Sequence, residues 1–315
     1  MVRSANNGTV RRPRFRRADD VRAFQLTDRD VEIVRQVAQH RFLRSTHISR
    51  LLDASHKKIC ERLTSLYHAG YLDRPRAQLE YNVQGGGSAP LIYALGNHGA
   101  QLLTARDHHE SANVDWTRKN RTTGRQFILH TLAIADVRIA LTIACRSHIG
   151  IELRHPAQLL PMLPEQTRAA RNPWGLRVRV QHNGGMQEIG LLPDYVFALI
   201  LPDGRRRPFV VECDRGTMPV ERATLYQTSM LRKFIVYEAA RQQGLHTSRY
   251  GWMNFRVLTI TASKDRANTM RAVIQKNPSL KGSPLFLFAD HNTLVQSDIL
   301  SYSWRDSANK THMLI

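Results

Sequence analysis

The sequence contains little cysteine and few acidic residues, and both shortages narrow the range of functions. Its 315 residues include three cysteines, Cys60, Cys145 and Cys213, which lie far apart. None belongs to a C-x-x-C pair, so neither a zinc finger nor a disulfide framework is predicted, and reduced thiols in the cytoplasm are expected. Aspartate and glutamate number 26 against 46 lysines and arginines, a net charge of +20. Such an excess attracts polyanions, so double-stranded DNA is the expected partner.

Several sequence signatures of other functions are also missing. The pattern G-x-x-x-x-G-K-[ST] does not occur, so no nucleotide cofactor and no ATP-driven unwinding are expected. No His-x-His pair accompanies a candidate nucleophilic tyrosine, which disfavours a relaxase. The longest apolar run, 195–201, is far too short to span a bilayer, so no membrane association is predicted.

Residues 1–25 are predicted to form a disordered basic arm. Arginines that repel one another flank a proline here, and the segment has no apolar period. The arm would lie along phosphates or enter a minor groove, or it is a solvated tail that raises solubility; both interpretations stay open. The arginines assigned to DNA contacts are Arg11, Arg12, Arg14, Arg16 and Arg17.

Residues 26–105 carry the pattern of a winged helix-turn-helix. Thr27 and Asp30 form a candidate capping box at the start of a first helix, and two further helices follow, the last beginning at Ser55. A short strand and its partner at 91–95 enclose a glycine-rich loop, which would be the wing. Domains of this type usually bind DNA, although some serve protein contacts.

The third helix is the predicted recognition helix. Its apolar residues Ile59, Leu63 and Leu66 recur at helical spacing and are expected to be buried. The other face would then meet the major groove, while arginines at the start of the wing would contact flanking phosphates. The DNA contacts assigned here are His56, Lys57, Lys58, Arg62, Arg74 and Arg76.

A polar segment at 106–126 is predicted to be a linker between two domains. The second domain, 127–315, begins with an apolar helix over 127–145 and then mixes strands with helices. Strands are predicted over 151–155, 176–181, 193–201, 207–214, 256–263 and 286–288, and helices over 219–242 and 265–276. The predicted fold class is α/β overall, with a mixed central sheet in the second domain.

Three carboxylates of the second domain are candidate catalytic residues and metal ligands. Asp194 begins one predicted strand, and Glu212 and Asp214 lie two residues apart on the next, so these two share a face. Oxygen ligands of this type suit Mg²⁺ or Mn²⁺, which can activate water against a phosphodiester. The same acids could instead form a structural network with nearby basic side chains. His130, at the start of the apolar helix, is a further catalytic candidate, although a hydrogen-bonded core histidine is the commoner role.

The acids also resemble a known nuclease pattern. Pro193-Asp194 followed by Glu212-Cys213-Asp214 is similar to the PD-(D/E)xK core, with Asp214 where that motif has lysine. The resemblance implies a restriction-endonuclease-like domain. In some nucleases of that fold the lysine lies on the next helix, and Lys233 is the candidate for that part here.

Over most of its length the chain resembles the replication-relaxation family of bacterial plasmids and mobile elements. The segments that carry the resemblance are LTDRDVEIVRQVAQHRFLRSTHISRLL, RLTSLYHAGYL, HTLAIADVRIAL, PDYVFAL and VVECDRGT, followed by Lys233 and Tyr237. It implies a role in replication of such DNA or its control, with replication or mobilisation proteins as further partners. Two functions stay open: a metal-dependent endonuclease or nickase, and a non-enzymatic regulator with an inactive nuclease-like interaction domain.

Overall fold

A computed structural model describes residues 14–19, 23, 25–78, 89–107, 114–182 and 184–315. The chain divides into two compact units, 1–135 and 136–315, and the boundary falls inside a long helix, α6 (Arg125–Ser147). The α/β fold class predicted from the sequence is confirmed, because helices accompany a large mixed sheet.

The first unit consists of short helices and a small antiparallel sheet. Before α6 its elements are α1 (Asp28–His40), β1 (Phe42–Arg44), α2 (Ser45–Leu51), α3 (His56–His68), β2 (Leu72–Asp73), a 3₁₀ turn (Arg76–Gln78), β3 (Ile92–Leu95), α4 (Asn97–Asp107) and α5 (Trp116–Arg121). The strand order is β1-β3-β2, with both pairings antiparallel. Residues 79–88 of the predicted wing lie outside the described residues.

Helix α1 begins where the capping pattern predicts. The Asp30 amide donates to Thr27 Oγ1, and Asp30 Oδ2 accepts from the Thr27 amide at 2.8 Å, which completes the capping box. The apolar residues of α3, Ile59, Leu63 and Leu66, are buried as predicted. Their side chains contribute to the core of this unit.

An ion pair joins α1 to α3. Arg62 donates from Nε to Asp30 Oδ1 at 2.8 Å and from Nη2 to Asp30 Oδ2. The carboxylate of Asp30 is fully buried. Burial opposes its ionisation, but hydrogen bonds from Arg62 and Thr27 outweigh burial and lower the pKa of Asp30 below its ordinary value. Arg62 was assigned to DNA; the structure instead engages its guanidinium with α1.

Part of the predicted arm contacts this unit. Arg17 donates from Nε to the Tyr67 carbonyl at 2.9 Å and forms an ion pair with Asp73. The Ala18 amide donates to His68 Nδ1 at 3.0 Å. Arg11 and Arg12 lie outside the described residues. The prediction of disorder rested on composition, which does not reveal that β2 offers carbonyl and carboxylate acceptors to Arg17.

The predicted linker contains a helix. Asp115 caps α5 by accepting from the Arg118 amide at 3.0 Å. Asn120 is buried and donates to the Leu95 carbonyl at 2.8 Å and to Asp73 Oδ2 at 2.9 Å. This short helix therefore packs on the first unit through polar contacts, which hydrophobic periodicity cannot detect.

Glycines allow two chain turns of this unit to touch. Gly70 has a φ of +82°, and the backbone at Gly96 and Gly99 lies against the Gly70–Tyr71 segment. A Cβ at either of the latter two positions would lie 2.3 Å from a carbonyl oxygen. No side chain fits at such a distance, so this contact requires glycine.

The second unit is larger and contains the main sheet. After α6 come β4 (Glu152–Arg154), α7 (Pro156–Leu159), a 3₁₀ turn (Leu160–Met162), α8 (Glu165–Arg168), β5 (Leu176–His182), β6 (Gly185–Leu191), β7 (Tyr195–Ile200), β8 (Arg206–Asp214), α9 (Met230–Gln242), α10 (Leu245–Tyr250), β9 (Arg256–Thr261), α11 (Lys264–Lys276), β10 (Phe286–Asp290), α12 (His291–Leu294), β11 (Trp304–Asp306) and β12 (Thr311–His312). The seven-stranded order is β12-β11-β10-β9-β8-β7-β4, and β5 and β6 form a separate hairpin.

The central strands determine where the candidate site lies. β7 and β8 are antiparallel, as the turn at 202–204 predicts, whereas β8, β9 and β10 run parallel. Val210, Phe234 and Met270 belong to one hydrophobic core, in which β8 packs with α9 and α11. Residues on the Val210 face of β8 therefore point towards these helices.

Helix α9 begins eleven residues later than predicted, at 230 rather than 219. Ser229 is its N-cap and accepts from the Arg232 amide at 3.1 Å. The Met230 and Leu231 amides donate to the carbonyls of Pro219 and Val220. The intervening loop therefore returns to the helix start, a long-range contact that helical periodicity does not encode.

Helix α6 is long and apolar enough to cross a membrane by length and composition, although core helices of soluble proteins pass the same test. Ile128 and Leu132 pack in a cluster with Phe42 of the first unit. Val137, Ile139 and Leu141 are also fully buried. These contacts are typical of a core helix.

We expect Arg62→Met to lower the free energy of unfolding of the first unit by about 3 kcal/mol, because the buried Asp30 carboxylate would lose its counterion. Hydrogen exchange of the α1 and α3 amides reports this change directly. Lys58→Met, on the exposed part of α3, is the control and should change little. Adding Asp30→Asn to Arg62→Met should recover part of the loss; equal protection in wild type and Arg62→Met would contradict the role given to this pair.

Candidate functional site

The register of β7 and β8 brings two predicted site residues together. Tyr195 pairs with Val211, so Asp194, one residue earlier, lies across from Glu212. Asp194 Oδ2 accepts from the Cys213 amide at 2.8 Å. Asp194 therefore lies just before the first residue of β7, and its carboxylate contacts the neighbouring strand β8.

Helix α9 supplies two hydrogen-bond donors to the carboxylate of Glu212. Lys233 Nζ donates to Glu212 Oε2 at 2.5 Å, and Tyr237 Oη donates to Oε1 at 2.5 Å. Glu212 is 1% exposed and Tyr237 is fully buried, whereas the Lys233 side chain is 19% exposed. The spacing i, i+4 places both donors on one helix face, towards β8.

Burial dominates the electrostatics of Glu212. Loss of solvent and the neighbouring charge of Asp194 raise its pKa to about 7, although the contacts with Lys233 and Tyr237 oppose this rise. Burial lowers the pKa of Lys233, but the charges of Glu212 and Asp194 outweigh it and raise that pKa. The Tyr237 pKa is well above its ordinary value, mainly because of burial. Glu212 can therefore exchange a proton near neutral pH, while Lys233 stays charged.

Asp214 has a different partner. Arg266, on α11, donates from Nη2 to Asp214 Oδ1 at 2.8 Å and from Nε to Oδ2. The Gly216 amide also donates to Oδ2, at 3.2 Å. Asp214 shares a strand face with Glu212, as predicted, but its carboxylate is engaged in a structural ion pair.

A metal site was predicted from Asp194, Glu212 and Asp214. Across residues 14–78, 89–182 and 184–315, as far as the structure describes them, no group of three or more His, Cys, Asp or Glu side chains is arranged to bind a metal ion. Asp194 and Glu212 lie together, whereas Asp214 pairs with Arg266. His130 is half-buried on the part of α6 that belongs to the first unit, and the carboxylates belong to the second.

The residues assigned to DNA fall into two groups. Arg74 is buried, donates to Tyr93 Oη at 3.1 Å and lies over the Tyr67 ring. Arg17 and Arg62 also pair within the unit, although their side chains stay 34% and 32% exposed. The buried polar acceptors that engage these arginines lie far away in sequence. Exposed side chains remain at Arg14, Arg16, His56, Lys57, Lys58 and Arg76. Within this group, His56 Nε2 contacts Ser45 Oγ at 3.0 Å, and Arg16 pairs with Asp19.

Sequence reasoning gave no role to Tyr237 or Arg266. Tyr237 follows Lys233 by four residues on a helix, a spacing that identifies two donors on one face. Arg266 could not be identified in this way, because its contact requires the parallel pairing of β8 with β9 and the crossover through α9.

We expect the unfolding free energy to fall between pH 4.5 and 7 because of Glu212. Its pKa is about 7 in the folded chain against an ordinary 4.5, so the folded state binds the extra proton in this window and loses that advantage as the pH rises. Relative to Glu212→Gln, the wild type should lose about 3 kcal/mol across the window, measured by denaturant unfolding with tryptophan fluorescence. Glu188→Gln, an exposed carboxylate of β6, is the control. A constant difference between wild type and Glu212→Gln would refute the raised pKa.

Comparisons with known proteins give one match. The family model described as replication-relaxation matches residues 34–255, which cover most of the chain and parts of both units. Neither the curated proteins nor the solved structures gave a match. The matched segment includes α3 of the first unit together with Asp194, Glu212 and Lys233 of the second, so the family resemblance extends over both candidate sites. The family assignment supports a role related to the replication of a plasmid or mobile element, and the chain belongs to the replication-relaxation family.

Proposed function

We propose that the first unit is a winged helix that binds double-stranded DNA, and that the protein uses it in the replication of a plasmid or mobile element or in its control. The observation that carries the proposal is the pair Lys57 and Lys58, both exposed in the first turn of α3. The N-terminal residues of a recognition helix are those that contact base edges and phosphates.

The arrangement around α3 supports this assignment. Helices α2 and α3 are joined by a short turn in which Asp53 has a φ of 46°. Strands β2 and β3 follow one another in the chain and pair antiparallel. Two helices joined by a tight turn and followed by a hairpin are the elements of a winged helix.

The charges that remain exposed favour phosphate contacts. Arg17, Arg62 and Arg74 form contacts within the unit, which makes their guanidinium groups less available to DNA. Lys57 and Lys58 supply the positive charge of α3, and Arg76 adds one at the start of the β2–β3 connection. Arg76 and the two lysines thus take the roles of wing and recognition-helix contacts.

We expect Lys57→Glu/Lys58→Glu to abolish most duplex binding, because two phosphate contacts are replaced by repulsion. In fluorescence anisotropy, affinity should drop at least about tenfold and the slope of log affinity against log salt should fall by about 2. The charge-matched control is Lys276→Glu/Lys281→Glu, at exposed positions of the second unit. Full affinity in the folded α3 variant would overturn the proposal.

A second candidate function is metal-dependent nicking of DNA by the second unit. The specific observation in its favour is that Lys233 reaches Glu212 from α9 while Asp194 lies opposite Glu212. Asp194, Glu212 and Lys233 together are two acids and a lysine, the set expected of a PD-(D/E)xK core in which the lysine lies on a helix.

The donor set fits a divalent cation only in part. Asp194 and Glu212 would hold Mg²⁺ or Mn²⁺, and such an ion would lower the pKa of a bound water so that hydroxide is available as the nucleophile towards phosphorus. Both Glu212 oxygens already accept hydrogen bonds, and Asp214 is paired with Arg266. Lys233, partly exposed beside Glu212, would stabilise negative charge on a phosphate. A regulator without catalysis is the alternative for the same residues.

Incubation of the protein with supercoiled plasmid and Mg²⁺ or Mn²⁺ distinguishes metal-dependent nicking from a regulator without catalysis. If the site nicks DNA, open circles accumulate with wild type, are absent with EDTA, and fall at least about a hundredfold with Asp194→Ala or Glu212→Ala. Asp203→Ala, an exposed acid in the β7–β8 turn, should retain full activity. Open circles formed equally by Asp194→Ala, or none by wild type, would exclude nicking and leave the DNA-binding proposal unaffected.

A further inference from the structure

A cavity of about 540 Å³ opens in the second unit at the end of the sheet opposite Glu212. It is lined by the first residues of β8 and β9 and by the residues just before β10, where these parallel strands begin. Glu212 and Asp214 lie at the other ends of the same strands. This cavity is therefore separate from the candidate nuclease site.

Basic side chains dominate its charge. The charged and titratable residues that line it are Arg207, Arg241, Arg256, His246 and His312. No acidic residue is among the described residues of the lining. The cavity also has an apolar part that includes Met253, Leu287 and Met313.

Two of the three arginines carry charge that no nearby carboxylate neutralises by contact. Arg207 donates from Nη1 to the Leu314 carbonyl at 3.1 Å, and Arg256 donates to the Pro284 carbonyl. In the described part of the chain neither forms an ion pair with a carboxylate. Burial and the charge of Arg207 lower the pKa of Arg256, although Asp306 opposes this. Two guanidinium groups therefore repel each other beside an open volume.

Two further basic residues of the lining, Arg241 and His312, have acidic partners. Arg241 pairs with Glu238, with Nη2 and Oε1 2.6 Å apart, and His312 Nε2 lies 2.8 Å from Asp306 Oδ2. Among the described residues of the lining, Arg207 and Arg256 are thus the two arginines that no carboxylate contacts. A dianion that enters the cavity would relieve their repulsion.

We infer that this cavity binds a phosphate monoester. At neutral pH such a group carries between one and a half and two negative charges, which matches the two uncompensated guanidinium groups. Arginine forms paired hydrogen bonds to phosphate oxygens, and the volume lies in the range of small-molecule sites. The apolar part of the lining accommodates the body to which the phosphate is attached. The phosphate belongs either to the 5′ end of a DNA strand or to a small free ester.

The site can be tested by isothermal titration calorimetry with the full chain. Lys57→Glu/Lys58→Glu is the background for every variant, so that the proposed DNA surface of α3 contributes little. The ligands are dTMP, a 5′-phosphorylated tetrathymidylate and the same tetrathymidylate with a 5′ hydroxyl. Preference for the phosphorylated strand over dTMP identifies a strand end; equal binding of both identifies a free ester.

Arg207→Gln/Arg256→Gln should weaken binding of the phosphorylated ligands at least about tenfold, because charge-assisted hydrogen bonds are lost. Met253→Glu is the second variant: its side chain is 94% exposed, so the change should leave folding intact while placing a negative charge at the cavity. Arg168→Gln/Arg171→Gln removes two exposed arginines elsewhere in the unit and is the matched control.

Binding that requires the phosphate, falls in both cavity variants and persists in the control supports the site. Three results would overturn it: no binding of any phosphorylated ligand, equal binding of the 5′-hydroxyl strand, or undiminished binding by Met253→Glu. These outcomes do not depend on whether the first unit binds DNA, since the background variant removes that surface.

Discussion

The contact between Glu212 and α9 is the constraint on which the second unit depends. The Glu212 carboxylate, on an interior strand of the seven-stranded sheet, is removed from water, and its charge is stable only where donors approach it closely. Lys233 and Tyr237 supply these donors from a single helix face. This requirement fixes the rotation of α9 over β8, and with it the packing of Phe234 against β10.

The same contact is compatible with a catalytic and with a structural role of Glu212 and Lys233. A buried glutamate with a pKa near 7 and a lysine that remains charged can handle protons and phosphate, yet the same pair can simply join a helix to a sheet. The neighbouring Asp214–Arg266 pair shows the structural use of an acid on the same strand. Residue type alone therefore does not distinguish a catalytic acid from a structural one; the hydrogen-bond partners and the exposure of the side chain do.

The sequence predicted correctly the features that depend on contacts between residues close together in the chain. The capping box of α1, the buried stripe of α3 and the β7–β8 hairpin involve residues close in the chain, and alternation along β8 correctly placed Glu212 and Asp214 on one face. The internal role of Arg62 depends on Asp30, thirty-two residues earlier. The start of α9, the helix inside the predicted linker and the partner of Asp214 likewise depend on contacts that no local period records. Net charge likewise does not show which arginines are exposed, since Arg17, Arg62 and Arg74 of the first unit contact acceptors within it.

The glycine contact in the first unit limits how this chain can vary over evolutionary time. Gly96 and Gly99 face carbonyl oxygens at a distance that excludes even a methyl group, and Gly70 has a backbone conformation unfavourable to other residues. A replacement at Gly96 or Gly99 cannot be rescued by trimming a side chain, because the nearest obstacle is a backbone carbonyl oxygen. Exposed positions such as Lys57 and Lys58 accept many residue types, whereas Gly96 and Gly99 leave selection a single residue to choose.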